Sequence, residues 1–431
     1  MAWIVIGTVA APAATPVRGL SDDLAFTDSR PGPRALAFRE ARRAGARIVR
    51  ITLDWSLVAP AGPVKPPGFD AADPADPGYR WGYVEDAVRD AARRRLRIVL
   101  LIVRAPAWAE GPNRPADAPP GFWLPDPTEL GAFVRAAARR FSGFFPDPKT
   151  PGDGLTEAGG SLPRVRFWQI WDHPNGGATL QPADAAIEHY RRMLDSASRA
   201  VKRVAGENTV VAGATPRAGG IPALVFWRRL LSAPARFDVA AYSGAPSTSH
   251  GLGNLAPLRA LRGVLEPRKP VWLTDLGWAT PPQDPRGVTP DRQARLLTEA
   301  LFRADRAGAE VVVWNGLQDR TSHLPGFPSI ASGLFFNSAD DLARDPAKPA
   351  LGVFRFPFLA RRDRPGVRAW GIAPRPSGRV SVERRVASRW RRVRFVRASR
   401  SGEFVAKVRR GRGRIYRARQ GSAVSLPWRS N

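Results

Sequence analysis

Leu96-Arg-Ile-Val-Leu-Leu-Ile-Val103 is apolar at almost every position. A strand with one wet face alternates polar and apolar residues. A strand apolar throughout is covered on both faces, as in parallel sheets flanked by helices. Amphipathic runs lie on either side of it, at 83–95 and 127–145. The same alternation continues outward in both directions. Further strands are predicted at 19–26, 47–54, 165–171, 209–214, 237–242, 271–275 and 310–314. Helices are predicted at 33–44, 183–204, 223–231, 257–265 and 290–307, the first opening on Pro33 and stopping at Gly45. Eight strands, most followed by a helix, predict an α/β fold of the (β/α)8 TIM-barrel type.

Beyond residue 360 the pattern changes. Val367-Arg-Ala-Trp-Gly371, Val380-Ser-Val-Glu383, 390–396, 404–408 and 414–418 are short alternating runs between Gly/Ser turns. They predict a small C-terminal all-β sandwich over 361–431, with a hinge at Arg361-Arg-Asp-Arg-Pro-Gly366. Its expected role is to buttress the barrel assigned to 18–360. At the other end, Trp3-Ile-Val-Ile-Gly-Thr-Val-Ala-Ala-Pro-Ala-Ala14 is a short apolar run ending in small residues. It reads as a signal-like leader over 1–17 without a basic flank, and the expectation is a secreted or cell-envelope protein. No other run is long and apolar enough to span a membrane.

The charge is uneven. Residues 361–431 hold 22 Lys+Arg against 3 Asp+Glu, within a whole-chain net charge of +29. No helix-turn-helix, zinc or RNA-binding signature accompanies it, so no specific nucleic acid is expected. Weak binding of anionic polymers by the Arg-rich tail follows from charge alone. Cysteine is absent, which excludes thiol nucleophiles and disulfides. The four histidines, His173, His189, His250 and His323, are scattered without metal-ligand spacing, so no metal and no cofactor is expected. Gly-rich phosphate loops and a Gly-x-Ser-x-Gly elbow are also missing.

In a parallel barrel, side chains at the carboxyl ends of the strands share one pocket. Those ends carry Asp22 and Asp23, Asp54 and Trp55, Arg104, Asp172 and His173, Ser243, Asp275 and Trp278, and Trp314 and Asn315. Asp22 and Asp23 are expected to cap or to pair with arginine. Arg50, inside the second strand, is placed to point inward.

Two of these ends sit in longer motifs: Trp168-Gln-Ile-Trp-Asp-His-Pro-Asn175 and Pro270-Val-Trp-Leu-Thr-Asp-Leu-Gly-Trp-Ala-Thr280. They resemble the strand-four Trp-x-x-Trp-Asn-Glu-Pro-Asn and strand-seven Thr-Glu-x-Gly-Trp motifs of clan A glycoside hydrolases, the cellulase-like and xylosidase-like barrel glycosidases. Val49-Arg-Ile-Thr-Leu-Asp-Trp-Ser-Leu-Val-Ala-Pro60, Ala105-Pro-Ala-Trp108, Ser332-Gly-Leu334 and Lys348-Pro-Ala350 are similar to further segments of that family, in the same order. The resemblance covers about residues 18–355. It implies that His173 stands at the acid/base position and Asp275 at the nucleophile position, both Glu in the family. It places Arg50 beside the acid/base, and makes Trp55, Trp171, Trp278, Trp314 and Asn315 candidate sugar-binding residues.

Both substitutions change the chemistry. An imidazole exchanges protons near neutral pH, so His173 could serve as acid/base, alone or with Asp172. Asp275 is one methylene short, which widens the gap. Carboxyls ~5–5.5 Å apart suit a retaining route, whereas ~6.5–9.5 Å leaves room for an attacking water. The resemblance therefore supports a glycosidase acting on O-glycosidic bonds of an oligo- or polysaccharide. Two alternatives stand beside it: a glycan-binding protein without turnover, and a basic envelope-attached scaffold.

Overall fold

The computed structural model describes residues 15–150, 160–217, 219–244, 251–265, 269–321, 330–338 and 341–430. Most of the leader-like run, His250 and His323 lie outside them. Eight parallel strands close into a barrel: β1 (Val17–Ser21), β2 (Ile48–Asp54), β3 (Arg97–Val103), β4 (Phe167–Ile170), β5 (Thr209–Pro216), β6 (Val239–Gly244), β7 (Val271–Leu276) and β8 (Val311–Asn315). β8 returns to β1, with Val17 opposite Val311 and Ser21 opposite Asn315.

The period of two along a strand decides what the site receives. On β2, Val49, Ile51 and Leu53 face the helical layer. Ile48 points into the lumen, where it packs with Val99, Val211, Val239, Trp272 and Val313. Arg50, Thr52 and Asp54 share its parity and climb to the open mouth, where all three line a cleft.

Around the barrel run α1 (Asp23–Phe26), α2 (Pro31–Ala44), α3 (Trp55–Val58), α4 (Gly82–Arg93), α5 (Pro127–Arg140), α6 (Ala186–Val204), α7 (Ala223–Leu230), α8 (Leu258–Val264), α9 (Pro290–Ala307) and α10 (Pro349–Arg355). Helix α9 shows why these boundaries were readable. Thr289 caps it by accepting from Arg292 N at 3.2 Å, and Pro290 opens it. Gly308 closes it at φ 70°, a left-handed value that costs a side chain but not glycine. One expectation is corrected at the start of the chain. The strand predicted over 19–26 ends at Ser21, because Asp22 Oδ1 accepts from Ala25 N at 3.0 Å and starts helix α1.

After α10, strands β9 (Phe358–Asp363), β10 (Gly366–Ile372), β11 (Arg379–Val386), β12 (Arg389–Arg397), β13 (Glu403–Val408) and β14 (Ile415–Gln420), with two-residue strands β15 (Ala423–Val424) and β16 (Trp428–Arg429), form the sandwich. One sheet is ordered β13-β10-β9; the other runs β12-β11-β14-β15, with β16 also on β14. Val380, Val382, Phe404, Ala406 and Tyr416 are among the side chains closing the space between them. Residues 361–366 are not a hinge. They form the tip of the β9–β10 hairpin, with Asp363 paired to Gly366.

The sandwich is packed onto the barrel. Trp370 is 2% exposed and meets Phe302 of α9 edge-on at 5.3 Å. Its Nε1 donates to Asp305 Oδ2 at 3.1 Å. Burial pushes the Asp305 carboxyl from 3.8 up to about 6, with Glu403 adding in the same direction. The folded state thus holds this proton more tightly than the unfolded chain. Its contribution to stability is complete below about pH 4 and is lost as pH rises through about 6. Asp305→Asn is expected to flatten the fall in unfolding free energy across that window in urea titrations. An unchanged pH slope would refute the assignment.

Candidate active site

A cleft of about 710 Å³ opens at the carboxyl ends of the strands. Strand β2 delivers Arg50, Thr52 and Asp54; β7 delivers Asp275, β8 Asn315, and the turn after β4 Asp172 and His173. That turn has an unusual backbone. Trp171 and His173 both lie in the left-handed region, at φ 67° and 49°. Such non-glycine residues cost of order 1–3 kcal/mol each and persist only where surroundings fix them. Here Trp171 N donates to Ile102 O and His173 N to Ala214 O, both at 2.9 Å. The chain is held so that Asp172 and His173 project into the cleft.

The centre of the cleft is a chain of near contacts. Arg50 Nη1 is 3.7 Å from Asp172 Oδ2. His173 Nε2 is 3.8 Å from Asp172 Oδ1 and 3.9 Å from Asp275 Oδ2. Ser243 Oγ donates to Asp275 Oδ2 at 3.4 Å. The contacts of Arg50 Nη1 with Asp172, and of His173 Nε2 with Asp172 and Asp275, fall just short of hydrogen bonds. Arg50 Nη1, Asp172 Oδ1, His173 Nε2 and Asp275 Oδ1 are all buried with no hydrogen-bond partner among the described residues. Buried polar atoms are normally satisfied, so four converging exceptions mark a place built for a polar ligand. Burial holds the Asp275 carboxyl above the usual carboxylate range, with Arg50 and His173 pulling the other way.

The rest of the wall is a second polar cluster. Asp54 Oδ2 accepts from Arg104 Nε at 2.7 Å, and Asp54 Oδ1 accepts from Ser56 Oγ at 2.6 Å. Asp23 Oδ1 and Oδ2 accept from Thr52 N (2.8 Å) and Thr52 Oγ1 (2.6 Å). Burial raises the Asp23 carboxyl as well. Asp22 faces away and caps. Besides Ala25 N, it accepts from Leu317 N at 2.9 Å and Gln318 N at 3.2 Å.

The structure brings Asp172, His173, Asp275, Arg50 and Asn315 together in one cleft. It corrects the tryptophans. Trp55, Trp171 and Trp314 are 0% exposed and Trp278 is 2% exposed, and none lines the cleft among the described residues. Their bulk is worth more in the core than on a wall. Trp55 stacks on Phe133 at 5.5 Å. Trp171 Nε1 donates to Thr179 O, Trp278 Nε1 to Gly251 O and Trp314 Nε1 to Ser332 O. Phe122 is the aromatic ring that does line the cleft. Thr52, Asp54 and Arg104 also belong to it. Asp54 and Arg104 are among the strand-end candidates; the period-two parity of Arg50 was the signal that could have added Thr52. His189 is structural, buried with Nε2 2.8 Å from Pro125 O. No group of three His, Cys, Asp or Glu suited to a metal ion occurs among the described residues.

No family model matches the chain, and no curated protein matches it. Solved structures do. A family 39 glycoside hydrolase from the gut symbiont Bacteroides cellulosilyticus WH2 aligns with a TM-score of 0.55 at 16% identity, over 92% of this chain and 81% of its own. A GH39 β-xylosidase from Caulobacter crescentus gives 0.56 at 15%, over 93% and 96%. A glucosidase from Croceicoccus marinus gives 0.54 at 15%, over 93% and 94%. At such identities the likeness is one of fold: a closed eight-stranded parallel barrel followed by a β-sandwich.

Proposed function

We propose that the cleft binds a carbohydrate and that the protein hydrolyses an O-glycosidic bond there. The observation carrying this reading is the convergence of four partnerless buried polar atoms, from Arg50, Asp172, His173 and Asp275, at the barrel mouth. Sugar hydroxyls donate and accept, and so can satisfy a guanidinium and two carboxylates together. The glycosidase-like fold is consistent with that ligand class, although fold alone does not set activity.

The chemistry is assigned from the environment of each group. A carboxyl whose proton affinity is raised by burial is a better proton donor than nucleophile. Asp275 therefore acts as general acid toward the leaving oxygen. Asp172, facing Arg50, is the carboxylate placed to activate water, and His173 relays the proton between them. With water activated by Asp172 and the leaving oxygen protonated by Asp275, this route is water-mediated and inverting.

One observation favours a second reading, binding without turnover. His173 Nε2 lies 3.8 Å from Asp172 and 3.9 Å from Asp275, so the imidazole fills the space between the two carboxyls that a scissile bond and its water need. Hydrolysis then requires the imidazole to swing aside when sugar enters. The test is release of reducing ends from a broad panel of aryl glycosides and polysaccharides. Turnover of at least one substrate class is expected. A folded protein that binds sugar but turns over none of the panel would leave the binding reading. Export to the cell surface remains part of the proposal, supported by the leader-like run at the N-terminus.

A further inference from the structure

The outer face of the β12-β11-β14 sheet carries six arginines: Arg379, Arg385, Arg392, Arg397, Arg417 and Arg419. Strand register explains how they meet. Arg379 pairs with Arg397, and Ser381 is flanked by Phe395 and Arg419. The ladder slips between Val382 and Glu383, where a β-bulge gives β12 an extra residue. A one-residue slip exchanges the two faces of a strand. It moves Arg392 and Trp390 to the side already holding Phe395. Contacts confirm the shared side: Arg379 and Arg392 sit over the Phe395 ring at 4.4 and 4.3 Å, and Arg417 over Trp390 at 4.1 Å.

One carboxylate opposes this charge. Glu383 accepts from Arg417 at 2.7 Å and Arg419 at 3.1 Å. Arg379, Arg392 and Arg397 are exposed and have no ion pair among the described residues. A positive surface of this kind attracts a polyanion. The aromatic rings narrow the choice. Nucleic-acid platforms offer free aromatic faces on which bases stack. Here guanidiniums lie over both rings, a stacking that orients their planar forks for bidentate contact with carboxylates.

We propose that this face binds a linear polyuronate, a polysaccharide carrying a carboxylate on each sugar, independently of the chemistry in the barrel cleft. Binding of the full chain to immobilised polygalacturonate at physiological salt tests it, with neutral dextran and single-stranded oligo(dT) as competitors. The triple variant Arg379→Gln/Arg392→Gln/Arg397→Gln is expected to lose about tenfold or more in affinity, with a shallower salt dependence. A control with the same charge loss on exposed barrel arginines, Arg94→Gln/Arg135→Gln/Arg203→Gln, is expected to stay within about twofold. Thermal unfolding is followed in each variant, and Arg392→Gln alone, expected to lose about threefold, replaces the triple if that unfolds. Equal losses in both triple variants, stronger competition by oligo(dT) than by soluble polygalacturonate, or no binding by the parent would each overturn the proposal.

Discussion

Asp275→Asn is expected to lower turnover by about 10³-fold while leaving sugar affinity within a few-fold of the parent. Proton transfer by a positioned acid is worth about 10²–10⁴ in rate, and the amide cannot supply the proton. The variant keeps the size of the side chain and can still accept a hydrogen bond from Ser243 Oγ, now 3.4 Å away. It also removes a carboxyl that burial makes unwilling to ionise, so the fold should tolerate it. The measurement is steady-state hydrolysis beside equilibrium binding of the same oligosaccharide. Loss in kcat with KM nearly unchanged identifies an interaction made in the transition state. Equal turnover in both proteins would remove Asp275 from the chemistry.

The second large effect is on stability. Lys348 and Asp319 form an ion pair whose side chains are both 0% exposed. Lys348 Nζ donates to Asp319 Oδ1 and to Thr280 Oγ1, each at 2.7 Å. Asp319 Oδ1 also accepts from Gly333 N at 2.8 Å. The pair thereby ties the segment after β7 to segments after β8. Lys348→Met leaves a buried carboxylate without its cation, a defect that costs about 3–5 kcal/mol. Urea unfolding should show that loss. The double variant Lys348→Met/Asp319→Leu should recover part of it, since no lone charge remains. A single-variant loss below about 1 kcal/mol would contradict the assignment.

What was legible in the sequence follows from what is local. Strand β3 and helix α9 were readable because an apolar run, a Thr-Pro start and a glycine stop are each local signals with a physical cause. Asp172, His173 and Asp275 were readable because the barrel sends every strand end to one place. The tryptophans were misplaced because a motif shows that an indole is near the site, not whether its ring faces the cleft or the core. Trp171 turns away at a left-handed backbone position that no residue type announces. The first strand was drawn too long because Leu24 and Phe26 continue an apolar pattern that the Asp22 cap interrupts. The 361–366 hairpin read as a hinge because its charged, Pro-Gly tip looks the same in either setting. The outer sheet face could not be assembled from sequence, since the bulge that aligns Arg392 with Phe395 depends on pairing between strands.

The measurement that bears most directly on the sugar site is calorimetric titration of the full chain and Asp172→Ala with an oligosaccharide panel. Asp172 is the cleft carboxylate facing Arg50, and its Oδ1 is one of the four partnerless atoms. At least one sugar class should bind the parent, and Asp172→Ala should weaken that binding about tenfold or more. No binding by the folded parent, or equal affinity in both proteins, would contradict a carbohydrate site at the mouth of this barrel.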